Sequence, residues 1–287
     1  MLPQGISSTA TLDGASTLVP DVLFSGVDAL FQRLAAVPVS SECDGIVVGH
    51  LSAKNFRAIE DERDRRGRHY RFFFLPEAAC VIITIPTGPH ERAHAVMYQF
   101  VDRAIQRMGL ESYQWDMIAA SKFTGPGGAS GEGDSSGGPP FTHDGSVRTW
   151  PTVVIQSGVT QTLPLLRVKA RWWFAASNYH MKEVVLVKVH TATSKIQIEK
   201  WVTTVPGTQR HGATNTRASS SGRRHSCKPR NRALADFHVD GTPLVLSFEA
   251  LFERQPVSVA GEHDVLISEV DLQDLAIRVW DRAGLYK

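Results

Sequence analysis

Short runs of β-branched and aromatic residues alternate along this chain with longer stretches of helical periodicity. That alternation confines it to a mixed α/β class. Tyr70-Arg71-Phe72-Phe73-Phe74-Leu75 and Cys80-Val81-Ile82-Ile83-Thr84-Ile85 read as two strands joined by a turn at Pro76-Glu77-Ala78-Ala79. A helix follows from Pro89 or His90 to Met108, with proline tolerated at its first position and Gly109 ending it. Thr152–Gln156 is a strand, Gln161–Ala176 a helix, and Glu183–Val189 and Lys195–Trp201 two further strands. Pro243–Leu246 is another strand, and Ser268-Glu269-Val270-Asp271 resembles a capping box opening a last helix to Asp281. Upstream, Asp21–Ala35 has apolar residues at helical spacing, and Trp115–Phe123 reads as a further strand. The order predicts an α/β or α+β fold with one central mixed sheet flanked by helices.

Composition removes several function classes. Among 287 residues, 31 Lys and Arg oppose 29 Asp and Glu, so the chain as a whole is not a polybasic nucleic-acid binder. Cys43, Cys80 and Cys227 are far apart and form no C-x-x-C pair, which excludes a disulfide scaffold or a cysteine zinc module. No run nears the roughly 18 apolar residues of a membrane span, and Met1–Thr9 lacks the basic and apolar regions of a signal peptide. The expectation is a soluble intracellular protein of the cytoplasm or nucleus, with its oligomeric state open.

Other segments carry distinct readings. The charged stretch Lys54–Arg68 reads as a solvated face or loop. The glycine-rich stretch 124–149 reads as a long functional or disordered loop. Residues 203–232 hold Arg210, Arg217, Arg223, Arg224, Lys228, Arg230 and Arg232 without an acid. They read as a flexible linker whose Arg223, Arg224, Lys228 and Arg230 suit phosphate contacts or a nuclear address. Trp172-Trp173 reads as helix core, with at most one ring fully buried because neighbours point about 100° apart.

Two groups carry candidate chemistry. Asp134 lies in the glycine-rich stretch, and Gln156 ends an apolar strand where ligand sites of α/β sheets lie. Their oxygens suit Mg²⁺, with Lys188 on the next strand positioned to orient a water or a phosphate oxygen. Glu132, two residues before Asp134, shares a side with it in an extended chain and adds a second charge. The other group, His90-Glu91-Arg92-Ala93-His94, matches H-E-x-x-H. That pattern places two imidazoles on one helical face for zinc, with Glu91 as base and Glu111 as a third ligand of a metallopeptidase.

Pro86-Thr87-Gly88-Pro89-His90-Glu91, Gly131-Glu132-Gly133-Asp134-Ser135, Trp150–Ile155, Arg171-Trp172-Trp173-Phe174 and Ile198-Glu199-Lys200-Trp201 occur here in that order. Together they look like a group of uncharacterised fungal proteins that resembles the PD-(D/E)XK, or restriction-endonuclease-like, nuclease superfamily. The resemblance covers residues 70–205. It implies a hydrolase that binds nucleic acid and cleaves phosphodiesters with Mg²⁺. It makes Asp134 the metal-binding aspartate, places Gln156 where the group has Glu, and makes Glu91 an accessory acid on the first core helix. No lysine follows at the family spacing, since Gly158 stands there; Lys169, Arg171 or Lys188 from a neighbouring element takes that role. The alternative is a catalytically inactive relative that binds nucleic acid or protein. The implied organisation is an N-terminal extension with one helix (1–53), a nuclease-like core (54–202), a basic flexible linker (203–235), and a C-terminal strand–helix addition packed on the core (236–287).

Overall fold

The computed structural model describes residues 18–38, 43–202, 225–228 and 237–282. In chain order these form β1 (Val22–Leu23), α1 (Val27–Ala35), β2 (Gly45–Gly49), α2 (Ala53–Arg65), β3 (Arg71–Leu75), β4 (Cys80–Thr84), α3 (Gly88–Arg107), β5 (Asp116–Met117) and β6 (Lys122–Thr124). There follow β7 (Ser130–Glu132), β8 (Ser135–Gly138), β9 (Val153–Gly158), α4 (Leu163–Ala176), β10 (Glu183–His190), β11 (Lys195–Val202), β12 (His225–Lys228), β13 (His238–Val239), β14 (Leu244–Leu246), α5 (Phe248–Phe252), β15 (Val265–Ile267) and α6 (Glu269–Arg282). The protein is a mixed α/β fold with mixed sheets flanked by helices.

The sheet surface is divided into two main ladders. The first runs β1-β2-β4-β3-β7-β6, and the second β13-β12-β11-β10-β9-β8-β5; β14 and β15 form a separate pair. The β1–β2 and β9–β10 pairs are parallel and the other neighbours antiparallel. The chain passes from the first ladder to the second at Gly133-Asp134, between β7 and β8.

Helix α4 lies between the two ladders. Its Leu166, Ala170, Trp172, Trp173 and Phe174 share one core with Phe73, Leu75 and Ile82 of the first sheet and Val154, Val184 and Leu186 of the second. Both tryptophans are therefore buried, Trp172 at 1% and Trp173 at 0% exposure. The expectation of one buried ring assumed a helix with a single covered side, and α4 has two. The outer face of the first sheet packs on α1 and α2, and that of the second on α3 and α6.

Several expected elements take a different form. The charged stretch is α2, an amphipathic helix that buries Phe56 and Ile59, turns Arg63 inward to the buried Glu132, and keeps Lys54, Arg57, Asp61, Asp64 and Arg65 exposed. The segment before residue 54 supplies β1 and β2 as well as one helix, and β2 is a full member of the first sheet. Trp115–Phe123 is two short strands, β5 and β6, in different sheets. The glycine-rich stretch is not one loop: β7 and β8 within it are buried strands. Glycine is required at Gly131, where a Cβ would lie 2.6 Å from the Phe73 ring and 2.8 Å from Trp172. Among the described residues, no helix is long and apolar enough to cross a membrane.

Candidate metal centre

Asp134 occupies the step between the two sheets and is almost fully buried. One carboxylate oxygen, Oδ2, accepts the Ser157 N–H of β9 at 2.8 Å. The β8–β9 register pairs Ser135 with Ile155, so one residue further along Asp134 stands opposite Gln156. Ser157 also donates its hydroxyl to the His90 carbonyl, which ties β9 to the first turn of α3. Asp134 and that helix turn are thereby fixed to the same residue of β9, Ser157.

The first turn of α3 brings His90, Glu91 and His94 to Asp134. His90 Nε2 lies 3.4 Å from Asp134 Oδ2, close enough for an ion pair though not aligned as a hydrogen bond. On the other side of the ring, His90 Nδ1 is 3.2 Å from Glu91 Oε1. His94 Nε2 is 3.3 Å from the same oxygen, and His94 Nδ1 pairs with Ser135 Oγ at 2.8 Å. Arg71, which opens β3, grips Glu91 with two nitrogens at 2.6 and 3.1 Å and lies 3.7 Å from Asp134 Oδ1. Glu91 alone of the two acids reaches solvent, with its side chain 40% exposed.

The charges hold one another in place. Burial disfavours the Asp134 carboxylate, but His90 and Arg71 outweigh it and keep the acid well below its ordinary range. Burial likewise disfavours a charged His90, yet Asp134 and Glu91 push its pKa up to about 9. Glu91 is also held far below the usual carboxylate range against burial, by His90, His94 and Arg71.

Gln156 is fully buried, and its amide N–H reaches only the Glu132 carbonyl, at 3.4 Å. Asp134 Oδ1, Gln156 Oε1, His90 Nε2 and His94 Nε2 are buried atoms with no hydrogen-bond partner. Buried polar atoms are rarely left so, and all four are atoms of metal-ligating groups. His90, Glu91 and His94 also each offer a ligand atom within 4.8 Å of the others.

The remaining candidates divide. Lys169 on α4 is buried and donates to Gln161 Oε1 at 2.7 Å and Thr84 Oγ1 at 3.2 Å. Burial pulls its pKa down, and Asp134 is foremost among the groups opposing that. Lys188 donates instead to the Val159 carbonyl, and the acid acting on it is Asp44, which caps the turn between β9 and α4. Glu132 does not supply a second charge beside Asp134. It pairs with Arg63 of α2 at 2.7 Å and accepts the Phe72 N–H at 3.1 Å. The extended-chain argument fails for it because the chain changes sheets after Glu132. Glu111 is exposed, caps a short turn through Gln114, and takes no part in the His90–His94 cluster. Arg223, Arg224 and Arg230 lie outside the described residues, and Lys228 ends β12 opposite His238.

Arg71 and Ser135 belong to this cluster although neither was singled out from the sequence. Arg71 had a signal: it is the lone cation in an aromatic, apolar strand. Ser135 had only its place beside Asp134. The two groups that looked like rival sites in the sequence, Asp134 with Gln156 and the H-E-x-x-H residues, form one cluster.

No known family model matches the chain, and no curated protein sequence matches it. Among solved structures, the chain is similar to one described as "a putative nuclease belonging to DUF820 from Anabaena variabilis". The two are 12% identical with a TM-score of 0.35, over 68% of this chain and 87% of that one. A likeness at that level leaves function to be argued from the site's own chemistry.

Proposed function

We propose that this chain is a nuclease-like, divalent-metal-dependent phosphodiesterase acting on nucleic acid, with Asp134 at its centre. One observation carries the reading: Asp134 Oδ1 and Gln156 Oε1, on adjoining strands, are buried acceptors without a donor. Two oxygens left open in a buried setting suit a hard dication such as Mg²⁺. The arrangement also agrees with the resemblance in the sequence, which assigned Asp134, the Gln156 position and Glu91 on the preceding helix to one site.

Asp134 and Gln156 would hold the ion, with Glu91 on its solvent side. When bound, such an ion supplies charge to a phosphoryl oxygen and lowers the pKa of a water. The protein's own residues do the rest. Ser157 fixes the Asp134 carboxylate, and Arg71 fixes Glu91 on the side from which a phosphodiester approaches. Lys169 acts as a positioning residue, its buried charge coupled to Asp134. Gln156 gives a dipole where the resembled family has a carboxylate, so binding and turnover are weaker than a two-carboxylate site would give.

The peptidase reading is less well supported. Its base would be Glu91, but Arg71 holds both oxygens of that carboxylate, at 2.6 and 3.1 Å.

The test is cleavage of plasmid and single-stranded DNA with Mg²⁺ by wild type, Asp134→Ala and Gln156→Glu. Weak wild-type cleavage, raised by Gln156→Glu and abolished by Asp134→Ala, is expected. An inactive wild type with an active Gln156→Glu identifies a decayed nuclease that binds without cutting. Equal inactivity in all three, without Mg²⁺ or DNA binding, overturns the proposal.

A further inference from the structure

We infer that the same cluster carries a second, nitrogen-rich metal position, formed by His90 Nδ1, Glu91 Oε1 and His94 Nε2 and selective for a transition dication of the Zn²⁺, Mn²⁺ or Co²⁺ class over Mg²⁺. This extends the metal-dependent reading above but rests on a different set of atoms. Both imidazole nitrogens lie 3.2 to 3.3 Å from the one Glu91 oxygen. That spacing is close to the separation of two ligands sharing a cation at about 2.0–2.2 Å.

The far edges of the rings supply the independent support. A ligating histidine ordinarily gives its other ring N–H to a carboxylate or another fixed acceptor, which sets the tautomer. Here His90 turns Nε2 toward Asp134, at 3.4 Å, and His94 turns Nδ1 onto Ser135 Oγ, at 2.8 Å. Each ring therefore has a fixed polar neighbour on its far side, and its other nitrogen points at Glu91 Oε1, where a metal would displace the ring proton. His94 Nε2 is buried with no hydrogen-bond partner, although the residue is only 4% exposed.

Two imidazoles and one carboxylate favour metals that accept nitrogen, whereas Mg²⁺ prefers an all-oxygen shell and keeps its waters. Glu91 serves here as a ligand and not as a base. Arg71 grips both oxygens, Oε1 at 2.6 Å and Oε2 at 3.1 Å, so a metal on Oε1 shares that oxygen with the guanidinium. The half-exposed Glu91 gives the ion its way in, and three protein ligands leave coordination positions open to water or a phosphate oxygen.

The untagged full-length protein, stripped with chelator, is dialysed against Zn²⁺, Mn²⁺ or Mg²⁺ and its metal content measured. Co²⁺ is titrated separately and followed by its visible absorption. One equivalent of transition metal, retained against excess Mg²⁺, together with a Co²⁺ spectrum of nitrogen and oxygen ligation, is expected. Ser135→Ala should weaken that binding by roughly 10- to 100-fold. His94→Ala and the better-filling His94→Gln should lose it further, with far-ultraviolet circular dichroism unchanged. A wild type that retains no transition metal and gives no Co²⁺ band overturns the inference without any variant. So does undiminished binding in a folded His94 variant. His94-dependent binding without DNA cleavage in any metal leaves this site standing and removes the nuclease reading; Mg²⁺-dependent cleavage without it does the reverse.

Discussion

Replacing Gln156 by Glu perturbs the centre by a single atom, amide nitrogen to carboxylate oxygen, at a residue with no solvent exposure. The amide's one bond, to the Glu132 carbonyl at 3.4 Å, becomes a repulsive oxygen–oxygen contact. A second carboxylate also arrives opposite Asp134, whose charge is already met by His90 and Arg71, and Lys169 is already bonded to Gln161 and Thr84. An uncompensated buried charge costs about 3–5 kcal/mol. For a chain of this size, with roughly 2–4 °C per kcal/mol, the midpoint should fall by about 6–20 °C in chelator. A dication held by the new carboxylate offsets part of the loss, because at a free concentration about 100 times its Kd a ligand stabilises by about 2.7 kcal/mol. Thermal unfolding followed by circular dichroism, in chelator and in Mg²⁺, measures both numbers. Wild type should shift less with metal than the variant. A Gln156→Glu protein that melts like wild type in chelator and is unmoved by metal would show that position 156 does not face the centre, and the site assignment would fall with it.

Three further outcomes are expected. Lys169→Met should abolish metal-dependent DNA cleavage in a folded protein while Lys188→Met preserves it, because Lys169 and not Lys188 is coupled to Asp134; parallel cleavage assays decide, and the reverse pattern refutes the assignment. Gly137→Ala should cost about 1–3 kcal/mol by overpacking. Its Cβ would meet the Asp116 carbonyl at 2.9 Å and crowd the Tyr98 hydroxyl that accepts the Trp115 N–H; urea denaturation measures it. Glu183 is pushed from 4.5 up to about 6 by burial, against the pull of Lys200. Its carboxyl therefore favours folding below pH 4.5, and that contribution is lost as the pH rises through about 6, an effect of about 2 kcal/mol at roughly 1.4 kcal/mol per pKa unit. Glu183→Gln should flatten stability across that window, as urea melts at both ends would reveal; a steeper dependence refutes the sign.

The legible part of the fold is the part whose local pattern agrees with its surroundings. β3, β4, β9 and β10 are apolar, β-branched or aromatic runs bounded by turns, and α3 and α4 carry helical spacing between clear stops. β7 and β8 were hidden because their Ser and Gly content belongs to loops by local preference. What makes them strands is non-local: Phe73 and Trp172 crowd Gly131, and Tyr98 crowds Gly137, so only small residues fit between the aromatic rings. β2 was missed because Ile46-Val47-Val48 between two glycines is too short a run to declare itself. Within the site, Asp134, Gln156 and Glu91 were identifiable as residue types in plausible places. Their convergence with Arg71 was not, since it depends on two sheets meeting at Gly133-Asp134.

Enclosing α4 between the two sheets also sets how the molecule can come apart. Trp172 meets Phe73 of the first ladder at 4.7 Å between ring centres, while the same helix covers Val154 and Leu186 of the second. Neither inner sheet face can be uncovered without exposing the helix, and releasing the helix uncovers both. Amides of β3 and β4 should therefore exchange with solvent at the same slow rate as those of β9 and β10, through one shared opening. The outermost layer, α1 and α2, covers only the first sheet and is free to open alone at lower cost. A lesion at Trp172 would accordingly quicken exchange in both ladders at once, although the residue belongs to neither.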